Sequence, residues 1–140
     1  PNRLPLDARG ELWHADWISM GSLPGASGTV YAAVRDSAGN LYIGGRFTAV
    51  GDVTANFVAK WNGSNWSALG SDGAGDGSIP YFDTDTAVYA LNILDTKVYA
   101  GGRFININNN GTVLPMADFL AVYDPDAVIT YKIFLPLILR

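Results

Sequence analysis

The residues best suited to chemistry lie in one acidic loop, from Asp72-Gly73-Ala74-Gly75-Asp76-Gly77-Ser78 to Asp83-Thr84-Asp85. Asp72, Asp76, Gly77 and Asp83 fall at positions one, five, six and twelve of an EF-hand-like calcium loop, where carboxylates flank a glycine turn. The pattern is imperfect. Ala74 stands where an oxygen ligand belongs, Asp83 replaces a bidentate glutamate, and no helices are expected to flank the loop. A solvated connection between structural units accounts for it equally well. Calcium is thus the one cofactor the residues suggest, with Asp72, Asp76 and Asp83 as its ligands; otherwise none is expected. The same carboxylates, Asp83 and Asp85, could in principle hydrolyse glycosides. However, nothing in the sequence sets a general acid opposite a nucleophile at the ~5 to 9 Å that this reaction needs.

The remaining reactive inventory is small. The single histidine, His14, stands beside Asp16 but has no companion for a triad or a histidine metal site. The chain contains no cysteine, which excludes disulfides, thiolate zinc sites and thiol nucleophiles. Copper-oxidase chemistry fails on the same shortage of ligands. Arg46 and Arg103 each follow a glycine pair, and a structural role on carbonyls or a carboxylate suits them better than an anion site. Trp13, Trp17, Trp61, Trp66, Tyr42, Tyr99 and Tyr123 offer the faces of a sugar-stacking platform, yet most recur at equivalent places, as core packing requires. Three N-glycosylation sequons start at Asn62, Asn65 and Asn110. Thirteen acidic against nine basic residues give a net charge of −4, which argues against nucleic acid. The residues point away from an enzyme.

The elements that carry these residues repeat. Val30-Tyr31-Ala32-Ala33-Val34 and Leu41-Tyr42-Ile43-Gly44-Gly45-Arg46-Phe47 return as Val88-Tyr89-Ala90-Leu91 and Val98-Tyr99-Ala100-Gly101-Gly102-Arg103-Phe104. Phe57-Val58-Ala59-Lys60-Trp61-Asn62-Gly63 returns as Phe119-Leu120-Ala121-Val122-Tyr123-Asp124-Pro125, and Trp66-Ser67-Ala68-Leu69-Gly70 has an upstream counterpart in Trp17-Ile18-Ser19-Met20-Gly21. Each repeat reads as four short strands: a hairpin around Ser37-Ala38-Gly39-Asn40, then another around Asn62-Gly63-Ser64-Asn65. Gly44, Gly45, Gly101 and Gly102 suit strand ends where backbones approach closely. The expected fold is all-β, with four-stranded antiparallel units of β-propeller blade type. One domain over 1–140 is expected: a partial unit at 11–21, a complete one at 30–70, most of another at 88–126, and an apolar strand at 128–140.

The runs Leu41 to Thr48, Asn56 to Gly63 and Trp66 to Gly70 resemble the kelch-like propeller repeats of bacterial exported proteins and of fungal cortical cell-polarity markers. The likeness covers roughly residues 11 to 126. It implies a β-propeller, non-enzymatic and outside the cytoplasm. The chain departs from that family in holding about two and a half units where a ring closes with about four to eight. It begins on Pro1, so a processed chain or a fragment of a longer propeller is one expectation, and several copies sharing a ring or a filament is another.

The last segment bears on that choice. Val128 to Leu139 includes Lys132 and Pro136 and is too short for a membrane span of ~20 residues. As a strand it would set Ile133, Leu135, Leu137 and Leu139 on one face and Phe134 and Ile138 on the other, so it belongs between layers. It resembles an apolar C-terminal tail of certain bacterial exported proteins with a Leu-Pro-Leu core. Either it finishes the chain's own last unit or it is donated to the open edge of a neighbouring copy. The sequence-based expectation is a non-enzymatic extracellular structural protein that assembles with itself into a ring or fibre through this strand. The alternative is a module that binds carbohydrate or a cell surface.

Overall fold

The computed structural model describes residues 6–11 and 17–127. His14, Trp13 and the whole segment 128–140, where a strand was expected, with the expected assembly residues Ile133, Phe134, Leu135, Leu137, Ile138 and Leu139, lie outside them. The described chain is all-β, and every sheet is antiparallel. Two short 3-10 turns, Met20–Ser22 and Pro115–Ala117, are the helical pieces among the described residues. Among those residues no helix is long and apolar enough to cross a membrane.

The first sheet is a meander of β1 (Thr29–Arg35), β2 (Leu41–Arg46), β5 (Val58–Trp61) and β6 (Trp66–Ala68), paired in that order. Between β2 and β5 the chain inserts a two-stranded ribbon, β3 (Ala49–Val50) and β4 (Val53–Thr54). The second sheet repeats the plan with β7 (Ala87–Leu94), β8 (Lys97–Arg103) and β11 (Leu120–Tyr123), again with a ribbon, β9 (Ile107–Asn109) and β10 (Thr112–Leu114), before its third strand. The ribbons were not expected. Their strands are two or three residues long, and the reversal between β3 and β4 depends on Gly51 at φ 60°, so no alternating run announces them. The partial unit expected at 11–21 shows no strand over residues 17–21. Gly21 and Ser22 both adopt positive φ there and turn the chain.

Local chemistry explains the turns. Asp36 closes the β1–β2 reversal: its carboxylate accepts from the Asn40 backbone N–H at 2.9 Å and side-chain Nδ2 at 2.7 Å. Gly39 takes φ 89° beside it, which a Cβ would oppose. In the β5–β6 turn the Asn62 side-chain oxygen accepts from the N–H groups of Ser64 and Asn65, at 2.9 and 2.7 Å.

The second glycine of each pair sits at a β-bulge. Register slips between Val30 and Ala32 opposite Gly45, and between Val88 and Ala90 opposite Gly102. A Cβ on Gly45 would enter the Thr29 carbonyl oxygen, and one on Gly102 the Ala87 carbonyl oxygen. No other residue fits the bulge.

The two sheets pack on each other, with β7 lying across β1 and β2. Phe57, Val58 and half-buried Leu69 from the first sheet and its flanks meet Val88, Ala100, Phe104 and Ile107 from the second. A second cluster covers the opposite face of the first sheet, where Ile43, Phe47, Val50, Ala59 and Trp66 are joined by Leu23 and Ala26 from the segment before β1. The first sheet thus meets the second sheet with one face and the segment before β1 with the other.

Candidate functional site

The repeat lets every position be compared with its counterpart, and the comparison separates two surfaces. The first lies where β1 and β7 run side by side. Tyr31 and Tyr89, equivalent residues, hold their rings 5.1 Å apart at a tilt of 50°, and both are exposed. Near them Arg46 stands 3.6 Å from Asp85, and Arg103 donates a close hydrogen bond to Asp83 while its guanidinium lies 5.9 Å from the Phe82 ring centre. Buried Thr86 fixes this loop, its hydroxyl accepting from the backbone N–H groups of Phe82 and Asp83 at 3.1 and 2.9 Å. The Arg103 side chain beside Asp83 holds that carboxyl below the usual aspartate range. Both arginines therefore face carboxylates and leave no anion site. A carboxyl so depressed is ionised at neutral pH, the wrong state for a general acid.

The second surface is the outer face of the second sheet. In the first sheet Gly44 pairs with Val58; in the second, Gly101 pairs with Leu120. These are equivalent pairs in different surroundings. Val58 is 4% exposed and Leu120 66%; Phe57 is 1% exposed and Phe119 57%. Val122, the counterpart of Lys60, is also exposed. A Cβ on Gly44 would meet Val88 and Leu91 of β7, whereas one on Gly101 would find only the Phe119 carbonyl oxygen, 3.9 Å away. What β7 covers on the first sheet, no described strand covers on the second. At the other end of the pair of sheets, Val30, Ile43, Val50 and Trp66 line a groove on the first sheet, beside exposed Ile18.

The residues singled out in the sequence distribute as follows. Among the described residues no three carboxylate or histidine side chains converge on a metal site. Of the three expected calcium ligands, Asp72 caps its own turn by accepting from the Ala74 N–H at 2.8 Å, Asp76 offers its backbone carbonyl to the Asn56 N–H at 2.8 Å, and Asp83 is turned to Arg103. The aromatic platform also divides. Tyr42 and Trp66 are buried, with Trp61 packed 5.2 Å from Trp66, while Trp17 is fully exposed and Tyr123 partly so. Burial pushes the Tyr42 hydroxyl up to about 12, helped by its hydrogen bond to Asp36 at 3.2 Å. The sequon residues Asn62, Asn65 and Asn110 are all exposed. The exposed pair Tyr31 and Tyr89 was missed, although its signal, two tyrosines at one repeat position, was in the sequence.

Neither a family model nor a curated protein nor a solved structure matches this chain.

Proposed function

We propose that this protein is a non-enzymatic structural module of propeller-blade type, acting outside the cytoplasm, whose units stack head to tail so that copies assemble with one another. The observation behind the proposal is the contrast between Val58 and Leu120. The same position is buried where the second sheet lies over it and exposed where no described unit does. The groove formed by Val30, Ile43, Val50 and Trp66 on the first sheet is the counterpart of the surface that Val58 meets on the second sheet, which includes Val88, Ala100 and Ile107. Ile43, Val50 and Trp66 are already covered by the segment before β1, so Leu120 of one copy would meet the next at the exposed rim of this groove, formed by Val30 and Ile18. Because the two surfaces differ, the contact is head-to-tail, and copies joined this way form a ring or a fibre.

Sedimentation of the purified chain over a range of concentrations tests this. Association that rises with concentration and disappears in Leu120→Asp, with the circular dichroism spectrum unchanged, supports the proposal; a wild-type chain that stays monomeric at the highest concentration overturns it.

A second reading rests on Tyr31 and Tyr89. Two exposed rings flanked by arginine and carboxylate groups suit a sugar, which stacks on aromatic faces while its hydroxyls bond to polar neighbours. Binding to a glycan array that is lost in Tyr89→Ala would favour this reading.

A further inference from the structure

Asn-Gly occurs twice in the chain, at Asn62-Gly63 and at Asn110-Gly111, and the two pairs are held in opposite ways. Asn62-Gly63 opens the turn between β5 and β6. The Asn62 carboxamide oxygen accepts from the backbone N–H groups of Ser64 at 2.9 Å and Asn65 at 2.7 Å, while the Gly63 N–H donates to no described residue. Asn110-Gly111 lies in the turn between β9 and β10. There the Gly111 N–H is bound to the Asn108 side-chain oxygen at 2.6 Å, and the Asn110 carboxamide oxygen accepts from no described residue. Both pairs are exposed to water.

We propose that Asn62-Gly63 is a self-modifying site, at which the chain converts Asn62 to aspartate or isoaspartate without an enzyme. The Gly63 backbone nitrogen attacks Cγ of Asn62. A C–N bond forms, the Cγ–Nδ2 bond breaks, and ammonia leaves with the proton that the Gly63 nitrogen gives up. The product is a cyclic imide, a succinimide, and water then opens it at either carbonyl. Opening at the former side-chain carbonyl yields aspartate in an ordinary main chain. Opening at the backbone carbonyl yields isoaspartate, whose main chain runs through the former side chain. Water is the one co-reactant.

Three features of the turn favour this reaction. First, negative charge collects on the Asn62 oxygen as the attack proceeds, and two N–H groups already stand at that atom, at the distances where oxyanion donors act. Second, Gly63 has no side chain to hinder the approach; it takes φ 99°, and nothing lies within 4 Å of where its Cβ would stand. Third, no described acceptor holds the proton that the Gly63 nitrogen must lose. At Asn110 the first and third features are reversed, because Asn108 ties up the attacking nitrogen and the carbonyl lacks donors.

Conversion adds one negative charge to a chain of net charge −4, and isoaspartate lengthens the main chain of the turn that sets Trp61 opposite Trp66. The assignment concerns one turn within one copy and is independent of the association proposed above.

Incubation of the purified chain in mildly alkaline buffer, followed by peptide mass mapping that separates asparagine, aspartate and isoaspartate, tests it. In the folded chain Asn62 is expected to convert at least ~tenfold faster than Asn110, a modest share of what oxyanion donors contribute elsewhere. In concentrated urea, where neither turn persists, the two rates should converge. Asn108→Ala, which releases the Gly111 N–H, should speed conversion at Asn110 and leave Asn62 unchanged; the urea comparison needs no variant and decides the matter even if this one folds poorly. An Asn62 that converts no faster than Asn110 in the folded chain would overturn the proposal, as would a difference that survives in urea.

Discussion

Gly44 lies directly beneath Val88: a Cβ at Gly44 would stand 2.7 Å from Cγ1 of Val88 and 3.2 Å from Leu91. The two sheets can approach this closely because β2 carries no side chain where β7 crosses it. At the equivalent place a Cβ on Gly101 would make only an ordinary contact, 3.9 Å from the Phe119 carbonyl oxygen. Gly44→Ala should therefore overpack the interface and destabilise the fold by about 1–3 kcal/mol. Gly101→Ala should leave the dilute chain unchanged or raise its stability by about 0.5–1 kcal/mol, since alanine suits a strand better than glycine does. Urea midpoints of the two variants check this directly. Equal losses at both positions would mean that the second sheet is covered just as the first is.

The repeat was legible in the sequence because its glycine pairs, tyrosines and arginines recur in fixed order, and from it followed the antiparallel meander and both hairpin turns. Other features were not legible. The ribbons β3–β4 and β9–β10 are too short for alternation to register and owe their pairing to turns such as that at Gly51. The spacing of Asp72, Asp76 and Asp83 resembled a calcium loop, but Asp83 pairs with Arg103 on a neighbouring strand, a contact that sequence spacing does not report. Most of all, Val58 and Leu120 look alike as residues. Which one is covered depends on whether a further sheet follows it in space.

Phe57 and Phe119 adopt the same unusual backbone, with φ of 66° and 64°, a region that costs a bulky residue about 1–2 kcal/mol. Glycine would relieve that cost at either site. At Phe57, however, the ring is buried in the core between the sheets, and removing it should cost about 3–5 kcal/mol, so Phe57→Gly is expected to be destabilising overall. At exposed Phe119 the same change should be neutral or stabilising in the dilute chain while weakening association between copies. Thermal melts at low concentration, paired with sedimentation at high concentration, distinguish the two effects. A marked loss of melting temperature in Phe119→Gly would contradict the exposed placement of that ring.

The Asp83–Arg103 contact makes stability depend on acid pH. Arg103 lowers the folded-state value of the Asp83 carboxyl, so the ionised form is favoured by folding. That contribution is fully present above the unfolded value of ~3.9 and is lost as pH falls through the lower folded value. Arg103→Gln should therefore flatten the decline of melting temperature below about pH 4. Since both groups are on the surface, added salt should shrink the difference. A variant whose melting curve parallels the wild type down to strongly acid pH would rule the coupling out.

Tyr42 provides the alkaline counterpart, with the opposite sign. Burial and the neighbouring Asp36 carboxylate raise its hydroxyl to about 12, against ~10 in an unfolded chain. Asp36 itself is pushed up by burial, but hydrogen bonds from the Asn40 side chain and backbone and from Tyr42 outweigh this and leave its carboxyl below the ordinary value. Tyr42 thus donates to an ionised partner at neutral pH. A group whose folded value is raised stabilises fully below its unfolded value and ceases to do so as pH climbs through the folded one, here between ~10 and about 12. The phenolate absorbance of the wild type minus that of Tyr42→Phe isolates this titration, and its midpoint is expected at about 12. Asp36→Asn, which removes the charge and keeps the burial, should move the midpoint down without returning it to the free value, because burial is the larger cause. A midpoint near the free tyrosine value in the wild type would show that the hydroxyl is open to water and that the β1–β2 turn does not close over it.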